Sequence, residues 1–291
     1  MNPIMNLIPE ALVKALGWTL LHALWQGTFV ALLLGLLLVL LHRQSSSVRY
    51  AVASATMLLQ LLLSVATFSY YFLQPKQGIA LVQPAVAVQA EVAGIAAGAA
   101  FWSDPLGAAQ VYFERHLPLL VTLWLLGLAL MGIKLIGGLA YTQRLRHYKA
   151  VALSGQWQQQ LDVLRRRLGI TQPVRLVESA LVQVPMAIGV VKPVVLLPIG
   201  AITGLTQAQV EAVLAHELAH ILRNDYLLNL LQSVVDILFF FHPAVWWISG
   251  VVRAERENCC DDIAVALCGD KLTYARALTE LEAMRMPAAA G

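Results

Sequence analysis

The sequence predicts a mainly α-helical membrane protein that ends in a smaller α+β domain with a small sheet. Three observations carry this. Of 291 residues, 59% are hydrophobic and only 13% charged, and the mean hydropathy is +0.69, whereas a soluble domain is about 45–50% apolar and about 25% charged. The first half holds three long apolar runs. After residue 141 the runs shorten, become β-branched and are broken by proline and glycine.

The spans come first. Residues 17–41 are 25 positions without a formal charge and residues 50–73 are 24 more. Residues 117–133 add 17, and this run continues past Lys134 to residue 141. Crossing the hydrocarbon core takes about 20 apolar residues, so all three qualify, with Lys134 snorkelling to an interface. The first run is too long for a cleavable signal peptide, and no small-residue cleavage site follows it. Lys and Arg then set the orientation. The short link between spans one and two carries Arg43 and Arg49. Arg144, Arg146, Lys149, Arg165, Arg166 and Arg167 follow span three. The link 74–116 carries only Lys76 and Arg115 against Glu91, Asp104 and Glu114. The expected topology is therefore N-terminus outside, long loop outside and residues 142–291 on the cytoplasmic side. The run 78–101, interrupted by Pro84 and Glu91, is read as an external segment lying on the membrane.

Span one carries His22 and Gln26 one turn apart, flanked by Trp18 and Trp25. The reading is interhelical hydrogen bonding near the outer interface; a polar substrate path is the competing one. A net charge of +3 gives no reason to expect direct nucleic-acid binding. Cys259, Cys260 and Cys268 form no disulfide framework and fit a reducing compartment.

In the second half, residues 157–168 read as a basic amphipathic helix, and residues 174–177, 182–188 and 194–197 as short strands broken by Pro185, Gly189 and Pro193. Thr206 and Gln209 form a capping box that opens the next helix. That helix carries His216-Glu217-Leu218-Ala219-His220. Residues four apart share a face, so both imidazoles reach one ion. Two His and a carboxylate suit Zn²⁺ with a position left for water, and Glu217 is placed to take that water's proton. A pair of core histidines on one helix is the plainer alternative. The third ligand is sought in 253–262, where Glu257 and Asp261 stand four apart; one would bind the ion and the other orient a histidine. Glu255 and Arg256 read as a solvated face, and the cysteines as small core residues.

Residues 226–252 lack Lys, Arg and Glu and pass for a fourth span. A crossing there would part Glu257 from the histidines. The run also holds Asn229, Gln232, Asp236, His242 and Pro243, so it is expected to form a helical hairpin turning at His242-Pro243, membrane-apposed or buried. The segment 182–188 is expected to be the sheet edge facing the cleft. There Pro185, Met186 and Ala187 either present backbone to substrate or, at Pro185, blunt the edge against aggregation.

With those residues identified, the chain resembles the BlaR/MecR-type antirepressor metallopeptidases. The resemblance rests on the three spans, Val184-Pro185 with Gly189, Lys192-Pro193, Leu197-Pro198, His216-Glu217-Leu218-Ala219-His220 with Arg223 and Asp225, Phe241-His242-Pro243-Ala244-Val245-Trp246-Trp247, and Glu257 with Cys260-Asp261. It implies a gluzincin-like fold with His216, His220 and Glu257 on Zn²⁺ and Glu217 as base. Asp261 and Asp225 would then support the ligands from behind. It further implies a bacterial inner-membrane location and a protein substrate such as a transcriptional repressor. Many members add a further span and an outer sensor domain. These residues carry neither, nor a Ser-x-x-Lys, so β-lactam sensing is not expected. The leading function is a membrane zinc endopeptidase in transmembrane signalling. A non-proteolytic signalling scaffold and a transporter are the alternatives; the intact Glu217 disfavours the first and three spans the second. The bilayer is an expected partner, and a homodimer is left open.

Overall fold

The computed structural model describes residues 9–74, 105–147 and 150–285; the expected external segment 78–101 lies outside them. The chain divides into two compact units. One is Met1–Leu33 with Thr56–Leu130, the other Leu34–Ala55 with Met131–Gly291. Among the described residues, three helices are long and apolar enough to cross a membrane: α1 (Glu10–Leu40), α2 (Ser46–Leu73) and the span Ala109–Arg146 of α3 (Pro105–His147). They outrun the charge-free windows, because a helix does not stop where the hydrocarbon would. Lys14, for example, lies inside α1 and pairs with Glu114 at 3.1 Å.

Within the first unit His22 and Gln26 of α1 bond to α2. His22 Nε2 and Tyr71 Oη lie 2.9 Å apart, the Gln26 amide donates to Thr67 Oγ1 at 3.1 Å, and Trp18 stacks on Tyr71. This is the interhelical bonding read from the sequence. Gly17 allows a close helix crossing, since a Cβ there would stand 2.7 Å from Leu117 Cδ2.

The second unit is built on a four-stranded sheet in the order β1-β2-β4-β3, with β1 at Ala150–Ala152, β2 at Arg175–Ser179, β3 at Met186–Ile188 and β4 at Val194–Pro198. β2 and β4 run parallel; β1 on β2 and β3 on β4 are antiparallel. β3 is therefore an edge. Of the expected strand 182–188, only its last three residues pair, because Pro185 cannot donate to a ladder. Gly189 turns the chain back toward β4 at φ +96°, where a Cβ would press on the Lys192 carbonyl at 3.3 Å.

Helix α4 (Gly155–Arg167) and the single turn α5 (Ala201–Gly204) precede α6 (Gln207–Leu222), α7 (Asp225–Leu238), α8 (Pro243–Cys268) and α9 (Lys271–Arg285). The capping box at the start of α6 is formed: Thr206 Oγ1 accepts from the Gln209 N–H, and the Gln209 side chain accepts from the Thr206 N–H. α6 is the central helix. Its Val210, Val213, Leu214 and Leu218 join Val195 and Leu197 of β4, Leu161 of α4 and Ala277 of α9 in one core. At 25 cal/mol per Å² each such large side chain contributes about 1.5–3 kcal/mol, so α6 is the best-anchored support for a site.

α7 and α8 form the expected hairpin, with Pro243 in the first turn of α8. The polar residues that mark 226–252 as no ordinary span lie between the two helices. The Gln232 amide donates to Ser249 O (2.9 Å) and Oγ (2.7 Å), and Ser249 Oγ donates to Asp236. Arg256 donates to Gln232 Oε1 at 3.1 Å and to Asn229 Oδ1 at 3.3 Å. This corrects one sequence reading: Arg256 is only 6% exposed. Glu255 is likewise engaged, bonded to Arg49 Nε at 2.9 Å, so neither belongs to a solvated face.

Candidate metal centre

His216 and His220 leave the same face of α6, and Glu257 reaches them from α8. His216 Nε2 lies 3.1 Å from His220 Nε2; Glu257 Oε2 is 3.6 Å from the first and 3.5 Å from the second. An ion held tetrahedrally at about 2.0–2.1 Å would set its ligand atoms about 3.3–3.4 Å apart. Three donors already spaced this way fit one metal ion.

The remaining ring nitrogens are held from behind. His220 Nδ1 is 2.9 Å from Asp225 Oδ2, and His216 Nδ1 is 3.1 Å from Asp261 Oδ1 and 2.8 Å from Tyr274 Oη. Tyr274 also donates to Asp261. Burial and that carboxylate hold the Tyr274 phenol far above its ordinary value, so it stays protonated. With Nδ1–H donated backward, each Nε2 points at the shared point and offers its lone pair there once its own proton has left.

The electrostatics agree. Burial disfavours charge on His216, yet the hydrogen bonds of Asp261 and Glu257 raise it to about 9. Burial opposes charge on His220 as well, but Asp225, Cys260 and Glu257 take it up to about 12. The same two histidines pull the Glu257 carboxyl well below its usual range. The cluster is built to stabilise positive charge.

Asp225 reaches His220 because α6 ends in a tight turn. Asn224 adopts φ +56°, a left-handed conformation that asparagine tolerates, and the chain restarts as α7 with Asp225 turned inward and 4% exposed. Cys260 completes this corner, its Sγ 3.3 Å from His220 Nδ1 and 3.2 Å from Asp225 Oδ2. His220, Asp225 and Cys260 could form a second donor group. Burial, however, pushes the thiol up to about 11, so Cys260 donates to Asp225 as a neutral thiol and supports the first group.

Glu217 is 5% exposed and lines the same cavity of about 290 Å³ as His216, His220, Glu257, Arg256 and Asn229. Burial raises its carboxyl; the two histidines and the backbone N–H of Ala187 lower it again. Pro185, Met186 and Ala187 form the facing wall. Because the Ala187 N–H turns toward Glu217, strand alternation turns that of Met186 toward β4. Outward backbone groups are thus those of Ala187 rather than Met186.

Sequence reasoning missed four contributors. Tyr274 lies 13 residues beyond Asp261 in a helix with no motif. Arg256 hides in an alternating charge run. Ser46 and Arg49 dock on the outer side of α8, Ser46 Oγ donating to Asp262 Oδ2 at 2.5 Å.

Comparison with known proteins agrees. Residues 10–290 match the family described as BlaR1 peptidase M56. Over 149 residues, 51% of this chain and 25% of the relative, the sequence is 26% identical to the regulatory protein BlaR1 of Bacillus licheniformis. Over 77 residues, 26% of this chain and 13% of the relative, it is 30% identical to the methicillin resistance mecR1 protein of Staphylococcus aureus. A protease HtpX homolog of Bacillus licheniformis is 44% identical over 70 residues, 22% of this chain and 24% of that protein. The matches thus span a quarter or less of each relative. With its three apolar helices and its His/Glu cluster, and matched over nearly its whole length, the chain belongs to the BlaR1 peptidase M56 family, a membrane protein of metallopeptidase type.

Proposed function

We propose that this chain is an integral-membrane zinc endopeptidase of gluzincin type that cuts a cytoplasmic or membrane-proximal protein in transmembrane signalling, in the manner of an antirepressor. The observation that carries this reading is the spacing of three donor atoms, 3.1–3.6 Å apart, beside a buried carboxylate. His216, His220 and Glu257 are the ligands; two imidazoles and one carboxylate leave a fourth position open, the pattern of catalytic Zn²⁺. Bound there, the ion supplies Lewis-acid polarisation of a peptide carbonyl and acidifies water.

The chain's own residues do the rest. Glu217 is no ligand; it receives a proton from the attacking water and returns it to the leaving nitrogen. Burial keeps its proton affinity high enough for both. Asp225 and Asp261, with Tyr274, fix the histidine rings. The edge strand at Pro185, Met186 and Ala187 aligns an extended substrate, with Ala187 as its outward backbone. The basic residues after α3 favour the cytoplasmic face of the bacterial inner membrane for this unit. Leu227, Leu231 and Val234 give α7 an exposed apolar stripe that would suit the bilayer surface.

The test is metal analysis of purified protein with cleavage of co-expressed proteins. One zinc per chain is expected. Glu217→Gln should keep the metal and lose about 10²–10⁴-fold in cleavage. A variant that cuts as wild type sinks the mechanism.

A further inference from the structure

Beside the metal cavity lies a groove of about 430 Å³ between α7 and the Met131–Thr142 stretch of α3, and Tyr226 and Asn229 line both cavities. Met131, Leu135 and Leu139 form most of one wall, which Lys134 and Thr142 also line; Leu230, Ser233 and Asp236 lie on the other. We infer that this groove is the entry path of the same site, and that it takes a polypeptide segment anchored in the membrane. This rests on the peptidase reading and narrows its substrate class to membrane-inserted proteins.

Three features choose the occupant. First, one wall belongs to a helix apolar enough to span a bilayer. Its Ile133 and Ile136 are each 68% exposed beside the groove, and Leu231 is exposed on the other side. The rims therefore match hydrocarbon, while the interior reaches a catalytic cluster. Second, the α7 wall is not apolar throughout. Asp236 Oδ1 is buried and has no hydrogen-bond partner among the described residues, although Oδ2 is taken by Ser249 and Arg253. An acyl chain offers that oxygen nothing, whereas a peptide offers N–H donors. Third, Tyr226 and Asp236 are ten residues apart on one helix, a reach of about 15 Å. An extended chain covers that with about four or five residues, enough to lead from a membrane anchor to the metal cavity.

The probe is a designed peptide: a leucine-alanine helix of about 20 residues, long enough to span, continued by an extended apolar tail. The control is the tail alone. The full chain, Cys268→Ser with Ser233→Cys carrying bimane, sits in phosphatidylethanolamine–phosphatidylglycerol vesicles. The anchored probe should shift the bimane emission saturably, and the free tail should need at least about tenfold more. Gly138→Leu fills the groove where a Cβ meets nothing within 4 Å. It should weaken the anchored probe at least about tenfold without changing bound metal. The inference is overturned if lipid alone gives the whole shift, if the anchored probe gives none, or if Gly138→Leu binds as the parent does. Cleavage in the same vesicles separates the two readings. Binding without any cutting refutes the peptidase and leaves the groove standing. Equal cutting of anchored and free tails, indifferent to Gly138→Leu, refutes the groove and leaves the peptidase.

Discussion

Asp225→Asn keeps the shape of the side chain and one acceptor oxygen but removes the charge behind His220. A hydrogen bond to a charged group contributes about 1.5–3 kcal/mol and a neutral one about 0.5–1.5 kcal/mol, so the change costs about 1–1.5 kcal/mol, roughly tenfold in metal affinity. Two further losses add to it. Arg223 Nε, 3.5 Å away, loses its counter-ion, and the Cys260 thiol loses its acceptor. Asp225 is 4% exposed, so water does not replace what is lost. The expected fall lies at the upper end of the 10–100-fold range, about that seen when a ligand's supporting partner is removed. Asp261→Asn should lie at the lower end. The Asp261 side chain is 40% exposed, and Tyr274 remains against His216 Nδ1. The assay is competition with a chelator at fixed pH, with thermal melting of the metal-loaded variants as the fold control. Equal losses, or a larger loss at Asp261, would refute the argument that burial decides between them.

Four more outcomes follow from the same structure. Arg49→Ala and Glu255→Ala should each destabilise the second unit by about 0.5–1.5 kcal/mol, as expected for a partly exposed charged pair; a double-mutant cycle by thermal unfolding should show coupling, and additivity would mean that the pair does no joint work. Asn224→Gly should be neutral and Asn224→Val should cost about 1–2 kcal/mol, the penalty of the left-handed conformation, read in the same melts. Asp270 caps α9 by accepting from the Thr273 hydroxyl and the Leu272 N–H, which hold its carboxyl below the ordinary 3.8; its stabilisation is full above that value and disappears as pH falls through the lowered one, so acid unfolding of Asp270→Asn should lack that component. Ala187→Pro removes the backbone N–H that lowers the Glu217 carboxyl while leaving the ladder to β4, so turnover should fall with metal still bound, whereas Met186→Pro should instead disturb the sheet.

What the sequence disclosed was whatever leaves a local pattern. The capping box of Thr206 and Gln209, the i, i+4 spacing of His216 and His220, and Pro243 opening a helix are all set within a few residues. Each appears where the pattern places it. The hairpin was legible because a span tolerates Asn229, Gln232 and Asp236 poorly, whereas a helix pair can satisfy them. Strand β1 was not, since three residues give no periodicity. Nor was the docking of Ser46 on Asp262, two side chains 216 residues apart. Neither residue's neighbours show a pattern, because the contact exists only after the α1–α2 turn reaches α8.

The misreading of Glu255 and Arg256 has a physical cause that bears on the site itself. Consecutive helical residues point about 100° apart, so Glu255, Arg256 and Glu257 enter three different neighbourhoods. Glu255, with Cys259 and Asp262 on the same face, meets the first turn of α2 at Arg49, Ser47 and Ser46. Arg256, in line with Ser249, meets α7 at Gln232 and Asn229. Glu257 and Asp261 meet the histidines of α6. An alternating charge run on a helix with one buried face is solvated; on a helix enclosed from three sides the same run is a set of separate anchors. Glu257 can therefore be a half-exposed side chain and still a well-placed donor. The two preceding charges add to its own contacts with the histidines by clamping α8 against the start of α2 on one side and α7 on the other.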